Sequence, residues 1–321
     1  MKAKKVLSTV LAALMVAATL VGCGGSSDLS KANVTCIVPY DAGGGTDVVM
    51  RALADSAKSS FKNITVENRS GAGGATGMLA GATAKADGTT VTMITVELTT
   101  LEAMGTNAGL TYSMFKPIMM VNSACSAITV KADDDRFATL EDLITYSKSN
   151  ELQVGNSGTG AIWHLAAAGL AKEAGTEFKH VGYDGAAGAI TDLLGGHIDA
   201  VAVSYAEVAS YVESGDLKVL AVMSDNRLDS IPDVPTCKEC GYDAVLGTWR
   251  GLGVPKDTPQ EVVDYLYEAF TAASESQEFV DFMNNSNNVI DILDGAAFET
   301  RIAKDLEVYT GLVNDLGLKV Q

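Results

Sequence analysis

The chain has 321 residues, of which 47% are hydrophobic, and it carries a formal net charge of −17 at pH 7. This length is enough for two domains of ordinary size. The acidic excess argues against nucleic acid as a partner and against long-range attraction of an anionic ligand, so any anion site must act through local dipoles, within about 10 Å.

The N-terminal segment has the pattern of an exported lipoprotein. Three lysines precede an apolar stretch over 6–21, and Cys23 follows almost directly. A basic head, an apolar middle and small residues before the cysteine are typical of a signal peptide with a bacterial lipobox. We predict a signal peptide over 1–22, lipidation of Cys23 and a flexible tether over 23–32 that holds the mature protein at the outer face of a membrane. An ordinary signal peptide with an incidental cysteine is the alternative. Cleavage removes the three lysines and lowers the formal charge to −20.

The segment Pro39–Asp47 is the most informative stretch of the sequence. It contains three consecutive glycines at 43–45, follows an apolar strand candidate and precedes a helical pattern. Glycines let the backbone come close to a ligand, and the first amides of a helix have no partner within the helix. The strand–glycine–helix order therefore favours an anion site for a carboxylate or a phosphate.

Strand and helix candidates alternate along the rest of the chain, which favours a mostly parallel α/β sheet. Strands are predicted over 34–38, 64–67, 90–96, 118–121, 127–131, 152–155, 200–203 and 217–223. Helices are predicted over 46–60, 75–86, 139–149, 159–173, 186–195, 205–214, 258–275, 276–285 and 296–316.

Further glycine-rich turns stand at the ends of strand candidates, at 71–74, 155–160 and 183–188. In open α/β sheets, ligands bind outside the carboxyl ends of the strands. Several such loops spread over the chain therefore predict one crevice shared by two lobes.

Catalytic and metal-binding patterns are weak. No phosphate-binding GxxxxGK[ST] loop occurs. Ser157 and His164 allow a hydrolase, although seven residues along one helix place their side chains about two turns apart. Cys237 and Cys240 form a CxxC, which is either a redox pair or incidental, because neither a thioredoxin-like context nor further zinc ligands lie nearby.

The ordered set of motifs resembles the Bug/TctC family, the extracytoplasmic solute receptors of tripartite tricarboxylate transporters. The resemblance covers nearly the whole mature chain. Asp184 departs from it, since a basic residue is common at this position. The matching segments are Pro39–Asp47 with Arg51, Val66–Gly74, Asp87–Thr90, Gly155–Gly160 with His164 and Leu165, His180–Gly185, Asp192–Asp199, Ile231–Thr236, Trp249 and Val254–Pro259.

The resemblance implies an α/β type II periplasmic-binding-protein fold, in which two Rossmann-like lobes are joined by two crossing strands and close on a ligand. We predict lobe one over 33–124 plus 229–321 and lobe two over 125–228, with crossings at 127–130 and 217–223. The family holds a carboxylate largely through backbone amides and bridging water.

The expected ligand contacts come from the glycine loops of both lobes. A tight turn or an N-cap is the alternative reading for most of them. We expect Asp47 to bind loop amides or water, and, if the ligand carries an amine, Asp47 or Asp41 to pair with it, an option that Asp184 strengthens. We also expect Glu97 to face the cleft. The expected contacts are Tyr40, Ala42, Gly43, Gly44, Gly45, Asp47, Gly73, Gly74, Ser157, Thr159, Tyr183, Asp184, Gly185, Ala187 and Ser204.

The sequence thus predicts a monomeric, lipid-anchored receptor that delivers a small organic carboxylate, either a di- or tricarboxylate or an amino acid, to membrane transporter subunits. We expect no catalysis, cofactor, metal or nucleic acid. The alternatives are an extracellular hydrolase that uses Ser157 and His164, and a ligand-sensing subunit of a signalling system.

Overall fold

The computed structural model describes residues 28–183, 185–286 and 288–320. The predicted signal peptide, Cys23 and Asp184 lie outside the described residues. The strands are β1 Asn33–Val38, β2 Asn63–Asn68, β3 Thr90–Thr95, β4 Phe115–Lys131, β5 Gln153–Asn156, β6 Lys179–Gly182, β7 Ala200–Ser204, β8 Leu217–Val222, β9 Gly247–Pro255 and β10 Val289–Asp294. The α-helices are α1 Gly45–Ser56, α2 Ala75–Ala82, α3 Glu97–Met104, α4 Leu140–Ser147, α5 Ile162–Glu173, α6 Ala186–Leu194, α7 Tyr205–Glu213, α8 Gln260–Ser274, α9 Gln277–Asn285 and α10 Gly295–Asp315.

The strands divide into two hydrogen-bonded groups that share β4. In the first sheet, β2, β1 and β3 are parallel, and β9 joins them to β4 in antiparallel pairs. In the second sheet, β5, β6 and β7 are parallel, and β7 and β8 pair antiparallel with β4. The strand β10 adds to the free side of β4 in the first sheet. The two sheets define the first and second halves of the molecule.

The 17-residue strand β4 passes from one half to the other. Residues 115–125 pair with β9, whereas residues 126–131 pair with β7 and β8. We expected two separate strands here and a second crossing at 217–223. The second crossing is instead made at the start of β9, beside β4, where the amide of Ser126 donates to the carbonyl of Leu246 over 3.1 Å.

Elements that the sequence reading did not include are α3, β6, β9 and β10. The strand β9 is rich in glycine, which lowers strand propensity. Its glycines have a packing reason, because a methyl group added at Gly251 would lie 2.3 Å from the ring of Phe298, and one at Gly247 would lie 2.3 Å from the carbonyl of Ala124. Because α10 and β4 approach β9 this closely, only a residue without a side chain fits at these two positions.

The helix α10 is hydrogen-bonded to β9 at the crossing between the two halves. The indole of Trp249 donates to Asp305 over 2.8 Å, and the hydroxyl of Tyr309 donates to the carbonyl of Gly247 over 3.0 Å. Trp249 and Tyr309 are fully buried. Trp249 thus serves packing at the crossing between the two halves.

The hydrophobic core forms two clusters. One lies under α1, α8 and α9 on one face of the first sheet. The other runs from the opposite face of that sheet, along α10, into the second half. Within it, Gly169 of α5 lies against Leu246 and Leu312, and Gly160 lies against Met104 of α3.

The C-terminal tail lies beside the contact between Gly160 and Met104. The amide of Val320 donates to the carbonyl of Met104 over 2.9 Å. In the part of the chain that the structure describes, we find no helix whose length and apolar character would let it cross a bilayer.

Candidate functional site

A cleft of about 510 Å³ lies between the two halves. Both halves and both crossing strands contribute to its walls. Its lining residues are Gly45, Glu97, Ser123, Ala124, Cys125, Ser157, Ala161, Ile162, Trp163, Ser204, Tyr205, Ala206, Glu207, Leu228, Ser230, Thr248, Arg250, Asn288 and Val289.

Four helices begin at this cleft. The starts of α1 and α3 come from the first half, and the starts of α5 and α7 come from the second half. The first amides of a helix have no partner within the helix, and each N-terminus carries about half a positive charge. The helix starts therefore direct N–H donors and a local positive potential into the cleft, which together suit an anion, although a capping box of Ser204 and Glu207 engages part of the start of α7.

The first glycine loop is held by Asp47. Its buried carboxylate accepts the amide of Gly43 at 2.8 Å, Arg51 at 2.9 Å and Asn68 at 2.8 Å. Burial alone would raise the pKa of Asp47, but these hydrogen bonds outweigh it and hold the pKa below its usual value. Asp47 thus binds a loop amide, as expected, and it is occupied by the protein itself.

The other donors of this loop differ in their availability. The amide of Gly44 points to the carbonyl of Asp41 over 3.4 Å, so the amides of Gly43 and Gly44 are both engaged within the loop. Gly45 begins α1 and lines the cleft, whereas Ala42 is exposed at the tip of the loop. Of the three glycines, Gly45 is therefore the one placed to meet a ligand.

Tyr40 belongs to a hydrogen-bond chain that ends at Glu97. Its hydroxyl donates to Thr95 over 3.0 Å, and the hydroxyl of Thr95 donates to the carboxylate of Glu97 over 2.6 Å. Burial raises the pKa of Tyr40, so it stays protonated. Gly73 and Gly74 lie behind this ring, where a methyl group at Gly74 would be 2.9 Å from the tyrosine oxygen. These residues hold Glu97 in the cleft wall, as its position after β3 led us to expect.

From the second half, Ser157 and Ser204 reach the cleft. The buried Ser204 donates from its amide and its hydroxyl to Glu207, at 2.8 Å and 2.7 Å. Thr159 is exposed next to Gly182 and is not among the lining residues. Ser157 therefore lines the cleft with a hydroxyl that has no hydrogen-bond partner among the described residues.

The fourth glycine loop lies beside the cleft rather than in its lining. The hydroxyl of Tyr183 donates to Asp192 over 2.7 Å, and burial together with that carboxylate raises the pKa of Tyr183 to about 12. Gly185 caps the start of α6 with a φ of 103°, and Ala187 is exposed in its first turn. The pocket that the structure describes does not include these residues.

Of the charged residues that line the cleft, Arg250 and Glu207 were not predicted from the sequence. Arg250 lies in β9 next to Trp249, and strand alternation sends the two side chains to opposite faces of the sheet. Its Nε donates to the hydroxyl of Thr46 over 3.0 Å, at the start of α1. The available signal was a single basic residue within the apolar, glycine-rich run over 247–254.

The histidines do not form a catalytic pair with Ser157. The Nδ1 atom of His164 accepts the amide of Gly160 over 2.9 Å, and no hydrogen bond joins His164 to Ser157 in the described residues. The ring of His164 stacks edge-on against His180, with centroids 4.5 Å apart. No group of three potential metal ligands is present in the described residues, and Cys237 and Cys240 are unpaired.

Comparison with known proteins gives consistent matches. The model of a family described as "Tripartite tricarboxylate transporter family receptor" matches residues 49–318. A UPF0065 protein of Agrobacterium vitis is 29% identical over 327 residues, which cover 98% of this chain and 94% of the relative.

Solved structures agree with this match. A TctC solute-binding protein from Polaromonas, solved without ligand, has a TM-score of 0.84 and 40% identity and covers 89% of this chain and 99% of its own. MatC from Rhodopseudomonas palustris with bound malate has a TM-score of 0.71 at 22% identity, over 88% of this chain and 99% of its own. An R. palustris protein with adipate has a TM-score of 0.72 at 22% identity, over 90% and 98%. The predicted periplasmic-binding fold is confirmed.

Proposed function

This chain belongs to the tripartite tricarboxylate transporter receptor family, and we propose that it captures a small organic carboxylate in the cleft and delivers it to membrane transporter subunits. The family consists of extracytoplasmic solute-binding receptors and not of enzymes, so the predicted hydrolase alternative is dropped. Relatives of the same fold hold malate and adipate.

The observation that supports the proposal most strongly is the convergence of four helix N-termini on one cleft. Backbone amides bind an anion at little cost, because their dipoles are already fixed in place by the helices. This arrangement accounts for anion binding by a chain with a net charge of −17. Gly45 from the first half and Ser157 from the second half are the proposed contacts on opposite walls.

Calorimetric titration of ligand-stripped protein tests the proposal. The panel contains succinate, L-malate, adipate, citrate, L-aspartate and L-alanine. We expect at least one of these to bind with micromolar affinity and to raise the melting temperature, because ligand stabilises the closed, folded protein. Absence of heat and of a melting shift for every member at millimolar concentration would overturn the proposal.

The substitution Ser157→Ala locates the site. The hydroxyl of Ser157 has no partner among the described residues, so its loss is expected to weaken carboxylate binding about tenfold without changing the stability of the unliganded protein. The control is Ser149→Ala, which removes an exposed hydroxyl outside the cleft. Equal affinity of the two variants would place the ligand elsewhere.

The export signal over 1–22, the lipid on Cys23 and the tether over 23–32 remain proposals. A Cys23→Ser variant expressed in bacteria is expected to leave the membrane fraction. The division into lobes 33–124 plus 229–321 and 125–228 is also proposed, with its second boundary moved from 228/229 to the start of β9, because β8 pairs in the second sheet and β9 in the first. The monomeric state is proposed as well. Limited proteolysis and sedimentation test these two proposals.

A further inference from the structure

Arg250 stands at the centre of the cleft wall. It is partly buried in β9, opposite Thr95 of β3 and Asn122 of β4. Its Nε is fixed on Thr46 at 3.0 Å, and a methyl group at Gly45 would lie 3.3 Å from its Nη2. The guanidinium thus lies directly at the N-terminus of α1, among the unpaired amides of that helix.

This arginine forms no ion pair with a carboxylate of the described residues. The chain has six arginines, and all six lie within the described residues. Five of them form an ion pair with an Asp or Glu. For Arg250, no carboxylate of the described residues lies within 4.0 Å, and its one other polar contact is a long one of 3.5 Å from Nη1 to Asn122.

The burial of this charge without a direct ion pair carries a cost. Removing a guanidinium from water is unfavourable, and burial lowers the pKa of Arg250, a shift that the attraction of the nearby Glu97 and Glu207 offsets only in part. The planar guanidinium has five N–H donors, of which Thr46 uses one at good distance. Two donors on one edge are the usual partners of the two oxygens of a carboxylate.

Two carboxylates face the same cleft from opposite halves. Glu97 begins α3 in the first half, and Glu207 lies in the first turn of α7 in the second half. Each is oriented by the protein, Glu97 by the hydroxyl of Thr95 and Glu207 by Ser204. Neither forms an ion pair within the described residues. The cleft wall therefore has one cation between two anions.

We propose that Arg250 binds the carboxylate of the ligand, while Glu97 and Glu207 bind an ammonium group on it, so that the preferred ligand is an amino acid. This inference rests on the proposed function and adds the chemical class of its ligand. A ligand with both charges satisfies the isolated guanidinium and the two carboxylates at once. A second carboxylate at the same place would instead face Glu97 and Glu207 and be repelled.

Two sets of matched ligands measure the effect of the ammonium group on binding. L-Aspartate, L-malate and succinate share one skeleton and differ by an ammonium, a hydroxyl or a hydrogen, and L-alanine, L-lactate and propionate form a second such set. Calorimetric titration of ligand-stripped protein is expected to show at least about tenfold tighter binding of the amino member in one or both sets. Equal or tighter binding of the hydroxy or unsubstituted member in both sets would overturn the ammonium assignment.

Variants test the two charged positions separately. We expect Arg250→Gln to lower affinity for the best ligand about 100-fold and Arg250→Lys to lower it about tenfold, because lysine keeps the charge but not the planar pair of donors. Glu97→Gln is expected to reduce the preference for L-aspartate over succinate at least fivefold, without weakening succinate. Arg136→Gln, which removes an arginine paired with Asp134 and Asp199, is the charge-matched control.

Stability of the unliganded variants distinguishes binding from packing. Because Arg250 has no ion pair to lose, Arg250→Gln should melt within about 2 °C of the parent protein. If it melts much lower and Arg250→Lys binds as the parent does, Arg250 supports packing and the proposal fails. If no carboxylate binds the parent protein at all, the proposed function fails first. Carboxylate binding that survives Arg250→Gln overturns only the present inference.

Discussion

At the residue scale, two charged side chains beside the first glycine loop have opposite roles. Asp47 is buried and fully engaged by Gly43, Arg51 and Asn68, so it builds the loop. Arg250 donates to Thr46 at the start of α1, beside the same loop, and forms no ion pair within the described residues. A buried charge with its hydrogen bonds satisfied indicates a structural role, whereas a buried charge without an ion pair is a candidate ligand-binding group.

His180 makes stability depend on pH. Burial, together with the neighbouring His164, lowers its pKa from 6.5 to about 4. Between these two values His180 is protonated in the unfolded chain and neutral in the folded protein. The free energy of unfolding therefore falls as the pH drops from about 6.5 to about 4, and below that the contribution of His180 no longer changes. The contribution is about 2 kcal/mol, after allowance for the partly exposed ring.

Urea unfolding of the parent protein and of His180→Gln at about pH 7 and about pH 4.5 measures this effect. The variant lacks the titrating group and should lose less stability on acidification. His164 stays in both proteins, where burial also lowers its pKa, so the difference reports His180 together with its interaction with His164. Identical losses in the two proteins would show that His180 titrates normally.

At the scale of elements, contacts rather than helix propensity decide the role of glycine. In the interior of a helix, alanine is normally more favourable than glycine by about 1 kcal/mol. In α2, however, a methyl group at Gly77 would lie 2.4 Å from the carbonyl of Arg69 and 2.6 Å from Cα of Pro39. In α10, a methyl group at Gly311 would meet nothing within 4 Å.

Alanine at these two positions should therefore have opposite effects. Gly77→Ala forces α2 away from the strand that leads into the first loop and is expected to destabilise the protein by about 1 to 2 kcal/mol. Gly311→Ala should stabilise it by about 0.5 to 1 kcal/mol. Denaturant unfolding checks both, and stabilisation by Gly77→Ala would contradict the tight helix–strand contact.

Most elements follow from sequence pattern, and the exceptions have a physical reason. Apolar runs and glycine turns identify β1 to β3, β5, β7 and β8 within a few residues. The strand β9 was missed because its glycines serve close packing against α10 and β4, which the sequence alone does not display. Of the predicted contacts, Gly45, Ser157 and Ser204 line the cleft. Arg250 was not predicted, because whether an arginine forms an ion pair depends on which carboxylates the fold brings near it.

At the scale of the whole molecule, the net charge of −17 opposes the approach of an anion. Salt screens this repulsion over a Debye length of about 10 Å at 0.1 M. The association rate of succinate should therefore rise when sodium chloride is raised from about 10 mM to about 150 mM, while the rate for neutral L-alanine changes little.

Stopped-flow fluorescence with the buried tryptophans as reporters measures these rates. Trp163 begins α5 at the cleft and provides the signal. L-Alanine, whose net charge is zero, serves as the control if it binds. A fall in the succinate rate with salt would mean that a local positive field dominates over the charge of the whole molecule.

The end of the chain has a practical use because of where it lies. Val320 is hydrogen-bonded to Met104, and Met104 faces Gly160 of the opposite half. A fluorescent dye attached to the exposed Lys319 would lie beside this contact between the two halves and would report a change in their separation. The fold thus offers an exposed attachment point for an optical biosensor beside the contact between the two halves.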